Sequence, residues 1–292
     1  MDTLKLLLSE VKKLNATLDR WAPSEKLVPD FRRETAFRWI GGERSGQGYL
    51  SVLPQRGGCR LADLQGIDRQ KIELDLNTRQ FIDGHPANNA LLWGSRGTGK
   101  SSLVKALLAE YQGKGLRMIE VGRAHLVDLP EIQGLIRNRP ERFIIFCDDL
   151  AFESDDAGYK VLKATLEGTL SEQPENLLIY ATSNRRHLLP EFPEDNQSAQ
   201  WINGELHQGE AVEEKISLSE RFGVWLSFQA FNQDQYLEIV GHWLGHYGYA
   251  EDGDAARTEA LAYALLRGSR SGRVAFQFAK SWAGRKRLAT EK

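Results

Sequence analysis

The sequence predicts an α/β fold, a three-layer αβα core around a central parallel five-stranded sheet, followed by a small all-helical lid domain. Three observations carry that prediction. Five short apolar runs alternate with segments of helical periodicity, the pattern of parallel strands buried on both faces. A glycine-rich turn ends the first run and opens a helix, as a strand–loop–helix unit requires. Beyond Gln229 no strand-like run remains.

Taken in order, the first segment repeats apolar residues at Leu4, Leu7, Val11, Leu14, Leu18 and Trp21, the spacing of an amphipathic helix. Pro23 ends it, because its ring removes a donor and clashes with the preceding turn. Such a helix either packs on its own domain or pairs with a partner helix. From Gly41 to Gly58 glycines dominate and loops are expected, with a short strand at Tyr49 to Leu53. The five apolar runs are Ala90 to Trp93, Leu116 to Val121, Phe143 to Cys147, Leu177 to Thr182 and Val224 to Phe228. Helices are predicted at Ser102 to Tyr111 and Tyr159 to Leu170, and in the tail at Gln233 to Tyr247 and Ala255 to Leu266. The expected divisions are therefore an N-terminal helix and glycine-rich extension over 1–60, an α/β domain over 61–228 and a helical lid over 229–292.

Composition sets bounds on function. The chain has 292 residues, 41% of them hydrophobic, enough for a core without disulfides or metals. Its 38 lysines and arginines against 40 acidic residues argue against a heavily basic nucleic-acid coat, although a local basic face is compatible with them. Cys59 and Cys147 alone make neither a disulfide framework nor a four-cysteine zinc site. Cys147, inside an apolar run, reads as a small core residue. Isolated imidazoles such as His125 and His187 read as structural or exposed residues. No apolar run approaches the length of a membrane span, and Met1 to Arg20 lacks the apolar core of a signal peptide. A soluble, cytoplasmic protein is expected.

Gly94-Ser95-Arg96-Gly97-Thr98-Gly99-Lys100-Ser101 fits the phosphate-loop pattern G-x-x-x-x-G-K-[ST] in full, between a predicted strand and a predicted helix. The glycines let backbone N–H groups turn inward around a phosphate, and the helix terminus adds partial positive charge. Lys100 is expected to reach the β- and γ-phosphates, and the Ser101 hydroxyl to bind magnesium. The alternative is a glycine-rich turn that merely joins strand to helix; the full motif in its strand–loop–helix context favours the nucleotide site. The core is thus expected to be of the P-loop kind, a nucleotide site with Mg2+; that the nucleotide is ATP is what the family resemblance given below implies.

The run Phe143 to Cys147 ends in Asp148-Asp149. Asp148 is the candidate magnesium residue opposite Ser101, and Asp149 the candidate base for the attacking water. A solvated strand end or helix cap is the bland reading of the pair. The next run leads into Ser183-Asn184-Arg185-Arg186. Asn184 contacts the γ-phosphate or the water if its strand lies between the other two; otherwise it makes only an Asx turn.

Together these features resemble the AAA+ ATPases, in which they correspond to the Walker A, Walker B and sensor 1 elements. The resemblance extends to Ser219-Glu220-Arg221-Phe222-Gly223, which implies that Arg221 acts on the nucleotide of a neighbouring subunit. It extends also to Gly272-Arg273-Val274-Ala275, which implies that Arg273 contacts the nucleotide as sensor 2, with Arg270 as the competing choice. Gly66-Ile67-Asp68 resembles the segment that packs against adenine, which makes Ile67 a binding residue. The strings NNALLWGSRGTGKSSLVKALL, RFIIFCDDLAFE, YATSNRRHLLPE and SLSERFG resemble a narrower bacterial family, the proteins of unknown function DUF815.

Two departures qualify what the resemblance implies. Asp149 stands where most AAA+ ATPases carry glutamate, one methylene longer, and Glu153 is a reserve base. Gly122-Arg123-Ala124-His125 lacks the aromatic pore loop of protein unfoldases, so polypeptide threading is not implied. Arg267, Arg270, Arg273, Lys280, Arg285, Lys286, Arg287 and Lys292 form a basic tail that serves nucleic acid, anionic lipid or simply a solvated lid. The polar, acidic stretch 190–214 around Trp201 reads as a surface insertion. Three functions are expected candidates: an oligomeric ATPase ring, a hexamer among the options, that remodels a protein partner; a DNA-associated ATPase of loader or branch-migration type; and a nucleotide-dependent switch with little hydrolysis.

Overall fold

The computed structural model describes residues 29–42, 48–54, 58–152, 156–167, 174–186, 188, 200–202, 205–207, 218–250 and 253–290. The amphipathic segment from Leu4 to Trp21, Glu153, His187 and most of the 190–214 stretch lie outside them. The strands are β1 (Ala36–Ile40), β2 (Tyr49–Val52), β3 (Ala90–Gly94), β4 (Leu116–Glu120), β5 (Arg142–Cys147), β6 (Leu177–Ser183), β7 (Gln200–Ile202), β8 (Glu205–His207) and β9 (Val224–Phe228). The helices are α1 (Asp68–Ile82), α2 (Lys100–Tyr111), α3 (Leu129–Ile136), α4 (Ala157–Glu167), α5 (Gln233–His246), α6 (Gly253–Leu266) and α7 (Gly272–Thr290).

Side chains alternate across a strand, so each apolar run supplies both layers of the core at once. Leu92, Ile144 and Tyr180 share one buried cluster with Leu103, Val104 and Leu107 of α2. Leu91, Ile145 and Ile179 share the other with Ile132 and Ile136 of α3 and Leu162 of α4. Each fully buried leucine or isoleucine contributes about 1.5–3 kcal/mol relative to an exposed one. This two-sided burial is why the runs are continuous rather than alternating.

The five expected strands are parallel neighbours in the order β4-β5-β6-β3-β9. The sheet is larger than the sequence suggests, because β1 adds in parallel to β4 and β2 pairs antiparallel with β1. β2 is the expected short strand. β1 lies in the expected extension, and its signal is a brief alternation in which Phe37 and Trp39 are buried and Arg38 is exposed. The buried Arg117 ties this extension to β4, donating to the carbonyls of Phe31, Arg32, Gln112 and Leu116. Burial lowers its pKa and the nearby Glu141 charge opposes that shift. Trp39 Nε1 donates to Asp128 (2.8 Å) and the Gly48 amide to Glu131 (3.1 Å), which fastens the extension to the segment after β4.

After β9 the described chain is helical. Asn232 and Gln235 cap α5 reciprocally, at 2.9 and 3.0 Å, an arrangement that contributes about 1 kcal/mol. Tyr236 on α5 donates to the Ala260 carbonyl of α6 (3.0 Å), and Phe278 and Trp282 bury one face of α7.

Candidate active site

Strand order decides where the polar residues meet. β6 lies between β5 and β3, so the tips of the acidic strand, the Asn184 strand and the phosphate-loop strand are adjacent. All three chains run the same way, and Gly94, Asp148 and Asn184 therefore emerge at one edge of the sheet.

The loop itself depends on glycine, at Gly94 for want of room and at Gly97 and Gly99 for a positive φ. Gly94 has φ +127°, and a Cβ there would stand 2.1 Å from the Phe228 carbonyl oxygen. That carbonyl accepts from Ser95 N at 2.9 Å and anchors the loop's entry to β9. Gly97 (φ +73°) faces Ser271, and Gly99 (φ +102°) lies against the buried Ile67. Thr98, 2% exposed, closes the turn by donating to the Ser95 carbonyl (2.8 Å).

Lys100 opens α2 with its ammonium folded back under the loop. Nζ donates to the carbonyls of Gly94 (2.8 Å) and Ser95 (2.7 Å) and to Asn184 Oδ1 (3.2 Å). Burial lowers its pKa; Asp149 and Asp148 oppose the shift, while Arg96 and Arg273 reinforce it. Ser101 Oγ donates to Asp148 Oδ1 (2.5 Å). Asn184 Nδ2 donates to Asp149 Oδ1, so one amide spans from the lysine to the second carboxylate. Asp149 has φ +53°, the one positive φ outside glycine among the described residues.

The α7 terminus approaches from above. Arg273 N donates to the Gly97 carbonyl (3.3 Å), and Ser271 Oγ caps the helix by accepting from Val274 N (3.3 Å). Arg273 and Arg96 are exposed beside the loop, whereas Arg270 is exposed two residues before α7 begins. Gly94, Ser95, Arg96, Gly97, Thr98, Gly99, Lys100, Ser101, Ile67, Asp148, Asp149, Asn184 and Arg273 thus converge. Arg221 does not join them. It precedes β9 at the opposite end of the strands, where Gly223 abuts Asn88, and it forms an ion pair with Glu167 at the end of α4. β3 alone separates that end from the phosphate loop by about 17 Å.

Two features escaped the sequence reading. Thr182, 1% exposed, donates to Asp148 Oδ1 (2.6 Å) and accepts from Asp149 N (2.9 Å); only strand packing reveals this. The Arg186 guanidinium lies 5.6 Å from each of the Trp93 and Trp225 rings, which are themselves 5.8 Å apart. Cys147 is buried as expected, and burial pushes its thiol up to about 12. Among the described residues no helix is long and apolar enough to cross a membrane, and no cluster of three or more His, Cys, Asp or Glu residues could hold a metal.

A family model described as a protein of unknown function (DUF815) matches residues 32–286. None of the curated proteins matches the chain. Among solved structures, a point mutant of RuvB from Thermotoga maritima is 16% identical with a TM-score of 0.48, covering 76% of this chain and 63% of its own. The ORC1 protein of Aeropyrum pernix in complex with DNA is 15% identical with a TM-score of 0.48, covering 73% of this chain and 58% of its own. The chain therefore spans less than two thirds of either structure.

Proposed function

Because the chain belongs to the DUF815 family and its core has the AAA+ architecture, we propose that it binds ATP with magnesium, hydrolyses it, and couples hydrolysis to remodelling of a macromolecular partner as a homo-oligomer. One observation carries the reading. The hydrogen-bonded line from Lys100 through Asn184 to Asp149 joins the phosphate loop to the acidic strand, which an Asx turn alone does not require.

The residues present fit the nucleotide and the metal. Gly94, Gly97 and Gly99 all hold a positive φ that side-chain-bearing residues rarely adopt, a backbone cradle that suits a phosphate chain, and the Ser101–Asp148 pair supplies the hard oxygen ligands that magnesium prefers. Ser101 and Asp148 would hold the magnesium, which would supply positive charge against the phosphates. Lys100, Arg96 and Arg273 hold the phosphates, Ile67 packs beside the base, and Asp149, oriented by Asn184, accepts a proton from the attacking water. Arg221 serves the neighbouring subunit, a role favoured by its distance from its own loop. In this reading residues 61–228, joined in their sheet by β1 and β2, form the nucleotide-binding domain, residues 229–292 the lid, and the protein works in the cytoplasm.

A second reading, an ATPase acting on DNA, draws on α7. Its last buried residue is Ala283, and Arg285, Lys286 and Arg287 beyond it are exposed. Turnover per subunit, measured over a wide protein concentration range beside light scattering, tests the first reading: activity rises as oligomers form. Stimulation by DNA that disappears with added salt favours the second. Tight binding without turnover in every assembly state overturns hydrolysis and leaves a switch.

A further inference from the structure

Thr182 lies two residues before Asn184, with its side chain enclosed at the end of β6. A strand position this buried suits valine, which has the same shape and no desolvation cost. The hydroxyl is therefore informative, and both of its bonds go to one dipeptide. It donates to Asp148 Oδ1 at 2.6 Å and accepts from the Asp149 amide at 2.9 Å. The Thr182 carbonyl accepts from Leu150 N at 2.7 Å, and Ser183 Oγ donates to the Leu150 carbonyl at 2.7 Å. Three consecutive residues after β5 are thus stapled to two consecutive residues of β6.

The staple coincides with the left-handed backbone of Asp149. At φ +53° the chain reverses sharply, a conformation that costs most residues about 1–2 kcal/mol and aspartate less. An aspartate is one methylene shorter than the glutamate that most AAA+ ATPases carry there. The reversal and the Thr182 bonds direct that short carboxylate to Asn184 Nδ2. Asp148 needs orienting too, since a single carboxylate oxygen accepts from both Ser101 and Thr182, leaving its second oxygen outside these two bonds.

We propose that Thr182 is a positioning residue that sets both carboxylates at once, fixing the Asp148 rotamer for magnesium and the Asp149 backbone for the water. This rests on the reading of Asp148 and Asp149 given above. Both bonds of the hydroxyl go to the two aspartates, so its effect passes through them. Hydrogen-bonding partners of metal-binding carboxylates are worth about 10–100-fold in metal affinity or activity when removed.

The test compares Thr182→Val, which keeps shape and loses the hydroxyl, with Thr182→Ser, which keeps the hydroxyl. ADP affinity is measured with and without magnesium, together with kcat and KM for ATP and hydrogen exchange of the Asp149 and Leu150 amides in nucleotide-free protein. In Thr182→Val, magnesium-free ADP affinity stays within about 2-fold of wild type while the gain on adding magnesium shrinks by about 10-fold or more. The kcat falls further than KM rises, and the two amides exchange faster. Thr182→Ser restores all three. Wild-type behaviour of Thr182→Val, or equal damage in both variants, overturns the inference; the second result assigns the effect to packing of the side chain. If Thr182→Val does not fold, Thr182→Ala beside Thr182→Ser makes the same comparison. A wild type with no magnesium effect overturns the parent reading, and the inference with it.

Discussion

Asp149 illustrates how a residue substitution and a backbone conformation depend on one another. Glutamate in its place gives the chain the residue most AAA+ ATPases have, and on length alone should improve reach. The φ of +53° argues the reverse, because aspartate tolerates the left-handed region better than glutamate does. Asp149→Glu is therefore expected to lower turnover and to cost about 1 kcal/mol of stability. Steady-state kinetics and a denaturant melt check this, and turnover above wild type would contradict it. Asp149, Asn184 and Lys100 were legible in the sequence because each ends a recognisable apolar run or motif. Thr182 was not. Its role depends on which strand lies beside β5, and threonine in a β-rich run carries no signal of its own.

At the scale of elements, the register of β3 on β9 does more than close the sheet. Gly94 pairs with Phe228, whose carbonyl receives the Ser95 amide and fills the space a side chain at Gly94 would need. Gly94→Ala is expected to cost about 1–3 kcal/mol through overpacking, together with most nucleotide affinity. Unfolding in urea and ADP titration measure the two losses, and an alanine variant that melts like wild type shows that the strands can part without penalty. The parallel strands were legible because burial on both faces makes their sequence continuous. β1 was less so: five residues with an exposed arginine in the middle, followed by Gly41 and Gly42, offer only a brief alternation. It becomes a strand because β4 offers an open edge and Arg117 holds the approaching chain.

For the whole molecule, the parallel sheet separates two pieces of chemistry. The phosphate loop stands at one end of the strands, and Arg221, paired with Glu167, at the other. With Arg221 acting in a neighbour, Arg221→Ala retains ADP affinity in the isolated subunit, while turnover falls about 10³-fold or more and its rise with concentration vanishes. Retained concentration-dependent turnover in that variant removes the trans role. The cluster of Trp93, Trp225 and Arg186 bears on how any of this is observed. Trp93 immediately precedes Gly94, and Arg186 follows Asn184 by two residues, so a cation rests against two indoles where both parts of the site begin. Indole emission responds to the charge beside it. Light from these two rings is therefore expected to follow the geometry of the phosphate site, and Trp93→Phe and Trp225→Phe separate it from the other five tryptophans of the chain.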